Sequence, residues 1–110
     1  MSKVLTISDA EFNTVVLQAA EPVLVYFWAA WCGPCRLMAP VVDSLAAAYG
    51  DRLKIVKMEV DPNPLSVAAY KVEGVPAFRV FINGKLEQSA EGAMSKAKLE
   101  ELLNSYLAVA

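Results

Sequence analysis

Two rhythms of apolar positions alternate along this chain: short runs with strand character and longer stretches with helical spacing. Val4-Leu5-Thr6-Ile7 predicts a short first strand, and Ser8-x-x-Glu11 has the form of a capping box opening a helix, with Phe12, Val15, Val16 and Ala19 on one face. Pro22 to Trp28 is continuously apolar and rich in β-branched and aromatic residues, which predicts a strand buried on both faces. A helix from Pro34 to Tyr49 follows, with Leu37, Val41, Leu45 and Ala48 as its inner face and Gly50 to end it. Pro40 falls inside this helix, where its missing N–H predicts a kink near Arg36. Leu53 to Val60 predicts another strand, stopped by Asp61-Pro62-Asn63-Pro64, and Leu65 to Lys71 a short helix. Phe78, Val80 and Ile82 alternate up to Asn83-Gly84, a turn dipeptide that predicts a two-residue hairpin into Lys85 to Glu91. Ser95 then caps an amphipathic helix with Leu99, Leu102, Leu103, Tyr106 and Leu107 inward, although Lys96 and Lys98 oppose the dipole of its first turn. This order of elements predicts an α/β sandwich around a central mixed β-sheet, a single domain over 1–110.

Composition narrows the picture. With 110 residues, 56% of them hydrophobic, the chain has enough apolar side chain to bury about two-thirds of its unfolded surface. Ten basic against twelve acidic residues and no basic block argue against a nucleic-acid partner. The opening Met1-Ser2-Lys3 to Asp9 lacks the sustained apolar core of a signal peptide, and the longest apolar run, Val23 to Cys32, is too short to span a bilayer. The expectation is a soluble cytoplasmic monomer.

The candidate chemistry is carried by Trp31-Cys32-Gly33-Pro34-Cys35, which holds both cysteines of the chain at the junction of a buried strand and a helix. Free backbone N–H groups and the positive helix end at that junction favour a negative charge on Cys32. The thiolate is the nucleophile in disulfide exchange, and an unperturbed cysteine is only about 3% ionised at pH 7. Gly33 permits close backbone approach, Pro34 suits a first helical turn, and Cys35 stands where it can resolve a mixed disulfide. With no histidine and no third cysteine, a zinc site would need carboxylates or a second subunit, so redox chemistry is the reading. Trp28 reads as core and Trp31 as an exposed contact surface; Tyr49, Tyr70 and Tyr106 read as packing residues.

At this point the chain resembles the thioredoxin family, nearly end to end. The matching residues are Phe27-Trp28-Ala29, Trp31-Cys32-Gly33-Pro34-Cys35, Ala39-Pro40, Lys57, Asp61, Gly74-Val75-Pro76, Asn83-Gly84 and Gly92. The resemblance implies a thioredoxin fold with helices on both faces of the sheet, and a protein-disulfide reductase in which Cys32 attacks and Cys35 resolves. It also implies that Pro76 is cis and faces the disulfide, that Val75 offers backbone hydrogen bonds to an extended substrate, and that Trp31, Val75, Pro76 and Gly92 form the docking surface. The implied partners are disulfide-containing proteins and a thioredoxin reductase as electron donor, with no bound cofactor.

Several positions depart from that pattern. Tyr26 stands where the family usually has a buried aspartate, and a phenol with pKa near 10 is a poor base at neutral pH. Its loss of charge should favour the thiolates and make the couple less reducing, while Cys35 would deprotonate more slowly unless Lys57 or water takes the role. Ala77 replaces a common threonine, and Glu91 puts a charge beside Gly92 near the docking surface. Arg79 interrupts an apolar strand, its stem expected along the sheet and its head in solvent or on an acid. Two other readings stand beside the reductase: an oxidase or isomerase on the same fold, and a partner-binding module in which turnover is secondary.

Overall fold

The computed structural model describes residues 3–107. Its elements follow the predicted order: β1 (Leu5–Thr6), α1 (Asp9–Phe12), β2 (Val23–Trp28), α2 (Gly33–Tyr49), β3 (Lys54–Glu59), α3 (Pro64–Ala69), β4 (Ala77–Ile82), β5 (Lys85–Glu91) and α4 (Lys96–Asn104). The last turns after α1 widen into a π-helix over Asn13–Leu17. The sheet runs β1-β3-β2-β4-β5. β2 pairs in parallel with β3 and antiparallel with β4, so the sheet is mixed and β2 is its centre. That central place explains the unbroken apolar run, since Val23 to Phe27 are all buried.

Each face of the sheet carries its own core. On one face, Leu24, Tyr26, Phe78 and Val80 meet Met38, Val42 and Leu45 of α2 and Leu99 and Leu103 of α4. On the other, Val25, Phe27, Ala77 and Phe81 meet Phe12 and Val16, with Val67 and Tyr70 packed alongside. Helices therefore cover both faces. Tyr70 stacks on Phe12 at 4.9 Å and meets Phe81 edge-on at 5.0 Å, which accords with a packing role.

One predicted face is out of phase. Leu37 is 69% exposed and Ala48 is also exposed; the buried stripe of α2 is Cys35, Met38, Val42, Leu45 and Ala46. The helix runs unbroken through Pro40 and ends at Gly50, whose φ is 57°. The hairpin turn is as predicted, with Asn83 at φ 51° and Gly84 at φ 79°. A side chain at Gly84 would put its Cβ 2.7 Å from the carbonyl oxygen of Leu17, so the turn needs glycine for space as well as conformation. At Ser8, the Glu11 carboxylate accepts both the backbone N–H at 2.9 Å and the hydroxyl at 3.1 Å.

Candidate functional site

The site is assembled where β2 ends and α2 begins. Cys32 is the N-cap residue of α2, and its sulfur accepts the backbone N–H of Cys35 at 3.2 Å. Cys32 and Cys35 are joined as a disulfide across Cα atoms 5.4 Å apart. Both are nearly buried, at 5% and 4% exposure. Pro34 occupies the first turn, where the helix asks nothing of its nitrogen. Gly33 and Pro34 are exposed beside the disulfide. A Cβ at Gly33 would meet nothing within 4 Å, so no contact inside the free protein requires glycine there.

Three residues distant in sequence complete the rim. The Val75–Pro76 peptide bond is cis. The Val75 carbonyl oxygen lies 3.6 Å from Cys32 Sγ. The sulfur carries no proton in the disulfide, so this is a contact there and becomes a weak S–H donor position only in the dithiol. The Pro76 carbonyl accepts the N–H of Gly92 at 2.8 Å, with Gly92 held at φ 94°. Trp31 stands 68% exposed next to Cys32, its Nε1–H donating to Asp61 Oδ2 at 3.0 Å. Trp28 is half-buried and packs against the core beneath α2 and α4 and against the cysteines. A groove of about 610 Å³ runs beside the disulfide between Trp31, Asp61, Val67, Lys71 and Val75.

Behind the disulfide lies Tyr26, only 3% exposed and stacked on Phe78 at 5.3 Å. Its hydroxyl donates to the backbone carbonyl of Cys35 at 2.9 Å. Burial pushes this phenol up to about 12. It is a neutral donor at any ordinary pH, and cannot serve as a base. Lys57 sits opposite Tyr26 in the β2–β3 register. Together with Tyr26, Trp28, Cys35, Arg36 and Asp43 it lines a cavity of about 220 Å³ behind the site.

Glu91 does not stand free near the rim. Its Oε2 is paired with Arg79 Nη2 at 2.7 Å, and the Arg79 side chain is 2% exposed, so the acid and not the solvent receives the arginine head. Two supports had no signature in the sequence. Asp9 caps α3 from far away, accepting the N–H of Leu65 and of Ser66 at 2.9 Å each. Asn63 is buried and bridges the Asp9 N–H and the Glu59 carbonyl, both at 2.8 Å. A single aspartate and a single asparagine in such positions look like any capping or turn residue until the topology brings them together.

Comparison with known proteins bears on this geometry. The family model described as Thioredoxin matches residues 3–105. A thioredoxin-like protein of Synechocystis sp. is 58% identical over 103 residues, covering 94% of each chain. A thioredoxin of Acidithiobacillus ferridurans is 45% identical over 104 residues, covering 94% of this chain and 96% of its own. The chloroplastic thioredoxin X of Arabidopsis thaliana is 47% identical over 103 residues, covering 92% of this chain and 57% of its own.

Proposed function

The chain belongs to the thioredoxin family and is a thiol-disulfide oxidoreductase acting on disulfide substrates with a reductase; on that premise we propose that Cys32 is its nucleophile and Cys35 its resolving thiol. The observation that carries this assignment is the Cys35 N–H directed at Cys32 Sγ from the first turn of α2. That donor and the helix end both favour negative charge on the sulfur at the rim.

The reaction follows from this assignment. The Cys32 thiolate attacks one sulfur of the substrate disulfide, that S–S bond breaks, and the other substrate sulfur leaves as a thiolate. Cys35, once deprotonated, attacks Cys32 Sγ and expels the second substrate sulfur. The substrate gains two electrons and two protons, and the protein ends as the Cys32–Cys35 disulfide. Tyr26 takes no proton in this cycle; the positive charge of Lys57 in the cavity behind Cys35 favours the resolving thiolate. Trp31, Val75, Pro76 and Gly92 dock the substrate chain, and Gly33 and Pro34 leave the approach to Cys32 open.

We further read the span 1–110 as one domain, monomeric, working in the cytoplasm with a thioredoxin reductase as electron donor and holding no cofactor of its own. No helix among the described residues is long and apolar enough to cross a membrane. Insulin reduction tests the reading. Wild-type protein should turn over, Cys32→Ser should not, and Cys35→Ser should accumulate a mixed disulfide with the substrate. Full activity in the double Cys32→Ser, Cys35→Ser protein would sink it, and partner binding without turnover would describe a docking module instead.

A further inference from the structure

We propose that Arg79 is a positioning residue for substrate docking, a role that rests on the docking rim assigned above: its guanidinium holds the Tyr70–Lys71 and Ala90–Glu91 segments together, and through them sets Val75 against Cys32 and Gly92 against Pro76. Arg79 lies in the middle of β4, opposite Val25 of the central strand. Its side chain is 2% exposed, and its strand neighbours Phe78 and Val80 and its cross-strand partner Val25 are buried apolar residues. The ion pair alone does not account for it, because Glu91 is 49% exposed and a pair so open to water contributes little. What an apolar residue cannot do is grip several backbone segments at once.

The guanidinium has five N–H donors, and each finds an acceptor. Nε donates to the Tyr70 carbonyl at 3.0 Å. Nη2 donates to the Lys71 carbonyl at 3.0 Å and to Glu91 Oε2 at 2.7 Å. Nη1 donates to the Phe78 carbonyl at 3.0 Å and, more weakly, to the Ala90 carbonyl at 3.5 Å. Lys71 adopts φ 54°, a left-handed conformation that a residue with a side chain rarely takes, and its carbonyl is the one Nη2 holds.

These acceptors flank the rim. From Lys71 only Val72, Glu73 and Gly74 intervene before Val75, whose carbonyl touches Cys32 Sγ. From Glu91 the next residue is Gly92, whose N–H is bonded to Pro76. One side chain therefore fixes both sides of the surface on which an extended substrate would lie, without itself reaching the sulfurs. Loosening it should weaken docking and spare exchange with a small disulfide that needs no docking.

Insulin kinetics with Arg79→Met, which keeps length and apolar stem but has no donors, tests this against Glu91→Gln and wild type. Each protein is first checked for folding by its urea midpoint, and each, pre-reduced, is also timed with 5,5′-dithiobis(2-nitrobenzoate) as the small disulfide. Arg79→Met should raise KM for insulin by about fivefold, with kcat and the small-disulfide rate within about twofold. Glu91→Gln should raise KM by about twofold, because one charge-assisted bond of the set is weakened. A folded Arg79→Met protein with unchanged KM, or one whose KM and small-disulfide rate worsen together, overturns the inference. Should Arg79→Met fail to fold, Glu91→Gln decides, and an unchanged KM there overturns it. Turnover that survives Cys32→Ser would instead overturn the reductase reading, so the two failures are distinct.

Discussion

The hydroxyl of Tyr26 donates to the backbone carbonyl of Cys35 at 2.9 Å, tying the central strand to the first turn of the helix that carries the disulfide. A position read from the sequence as a core filler is thus also a strut. Tyr26→Phe keeps the ring and its stacking on Phe78 and removes only this bond. Urea denaturation should show a loss of about 1 kcal/mol.

Placing a carboxylate at the same position changes charge as well as packing. In Tyr26→Asp the buried carboxylate would repel a thiolate behind the disulfide, which disfavours the reduced form at pH 7. The couple should become more reducing than wild type when both are equilibrated against a glutathione series; a difference of about 30 mV would correspond to about 1.4 kcal/mol in this two-electron couple. Equal potentials would show that Tyr26 acts on stability alone. The same substitution should cost several kcal/mol of folding free energy, since it empties a ring-sized volume and buries a charge.

At high pH the tyrosines should limit stability. Burial raises Tyr26 to about 12 against an ordinary 10.0, and burial likewise raises Tyr49 and Tyr70. The folded protein holds these protons more tightly than the unfolded chain, so their contribution is fully present below pH 10 and is lost as pH rises toward 12. Denaturation midpoints should therefore fall over that interval. Tyr26→Phe should flatten the decline, and absorbance at 295 nm should show Tyr26 ionising with unfolding rather than before it.

Much of this architecture can be read from residue order, for identifiable reasons. The Asn83-Gly84 turn, the apolar run of β2 and the Cys-Gly-Pro-Cys junction each carry a local constraint that only one structure satisfies. The inner face of α2 failed because Leu37-Met38, Val41-Val42 and Leu45-Ala46 are apolar doublets that fit two phases of the helix. The cysteine itself holds the missing signal: if Cys35 faces inward, Met38 and Val42 follow at helical spacing and Leu37 must point out, where it is 69% exposed. An acid for Arg79 could be expected, but its grip on the Tyr70, Lys71 and Ala90 carbonyls and the capping of α3 by Asp9 were not legible, because those partners are backbone groups of other elements.

Asp9 offers a test of that long-range capping. Burial pushes its carboxyl up, but hydrogen bonds from the Ser66 side chain and the Ser66 and Leu65 backbone outweigh this and leave it below the usual value of 3.8. Its contribution is therefore present above pH 3.8 and is lost as pH falls through the lower folded value. Asp9→Ala should cost about 1–2 kcal/mol near neutrality. Measured against pH, the gap between variant and wild type should close in acid.

Gly84→Ala should be among the most damaging small substitutions outside the site. The added methyl meets the Leu17 carbonyl at 2.7 Å and the backbone stays at φ 79°. A loss of about 2–3 kcal/mol in urea denaturation is expected. A neutral result would mean that the π-helical turn at Leu17 yields easily.

Because Arg79 holds two stretches of chain besides its own strand, neither can peel away alone without leaving a buried guanidinium short of acceptors. The segment from Tyr70 to Pro76 would otherwise be a natural place for local opening, since it has little regular structure of its own. Tethered in this way, it is recruited into the same cooperative unit as the sheet. Its amides should exchange with solvent at rates set by global unfolding, and a protease should find the loop only when it finds the whole chain open.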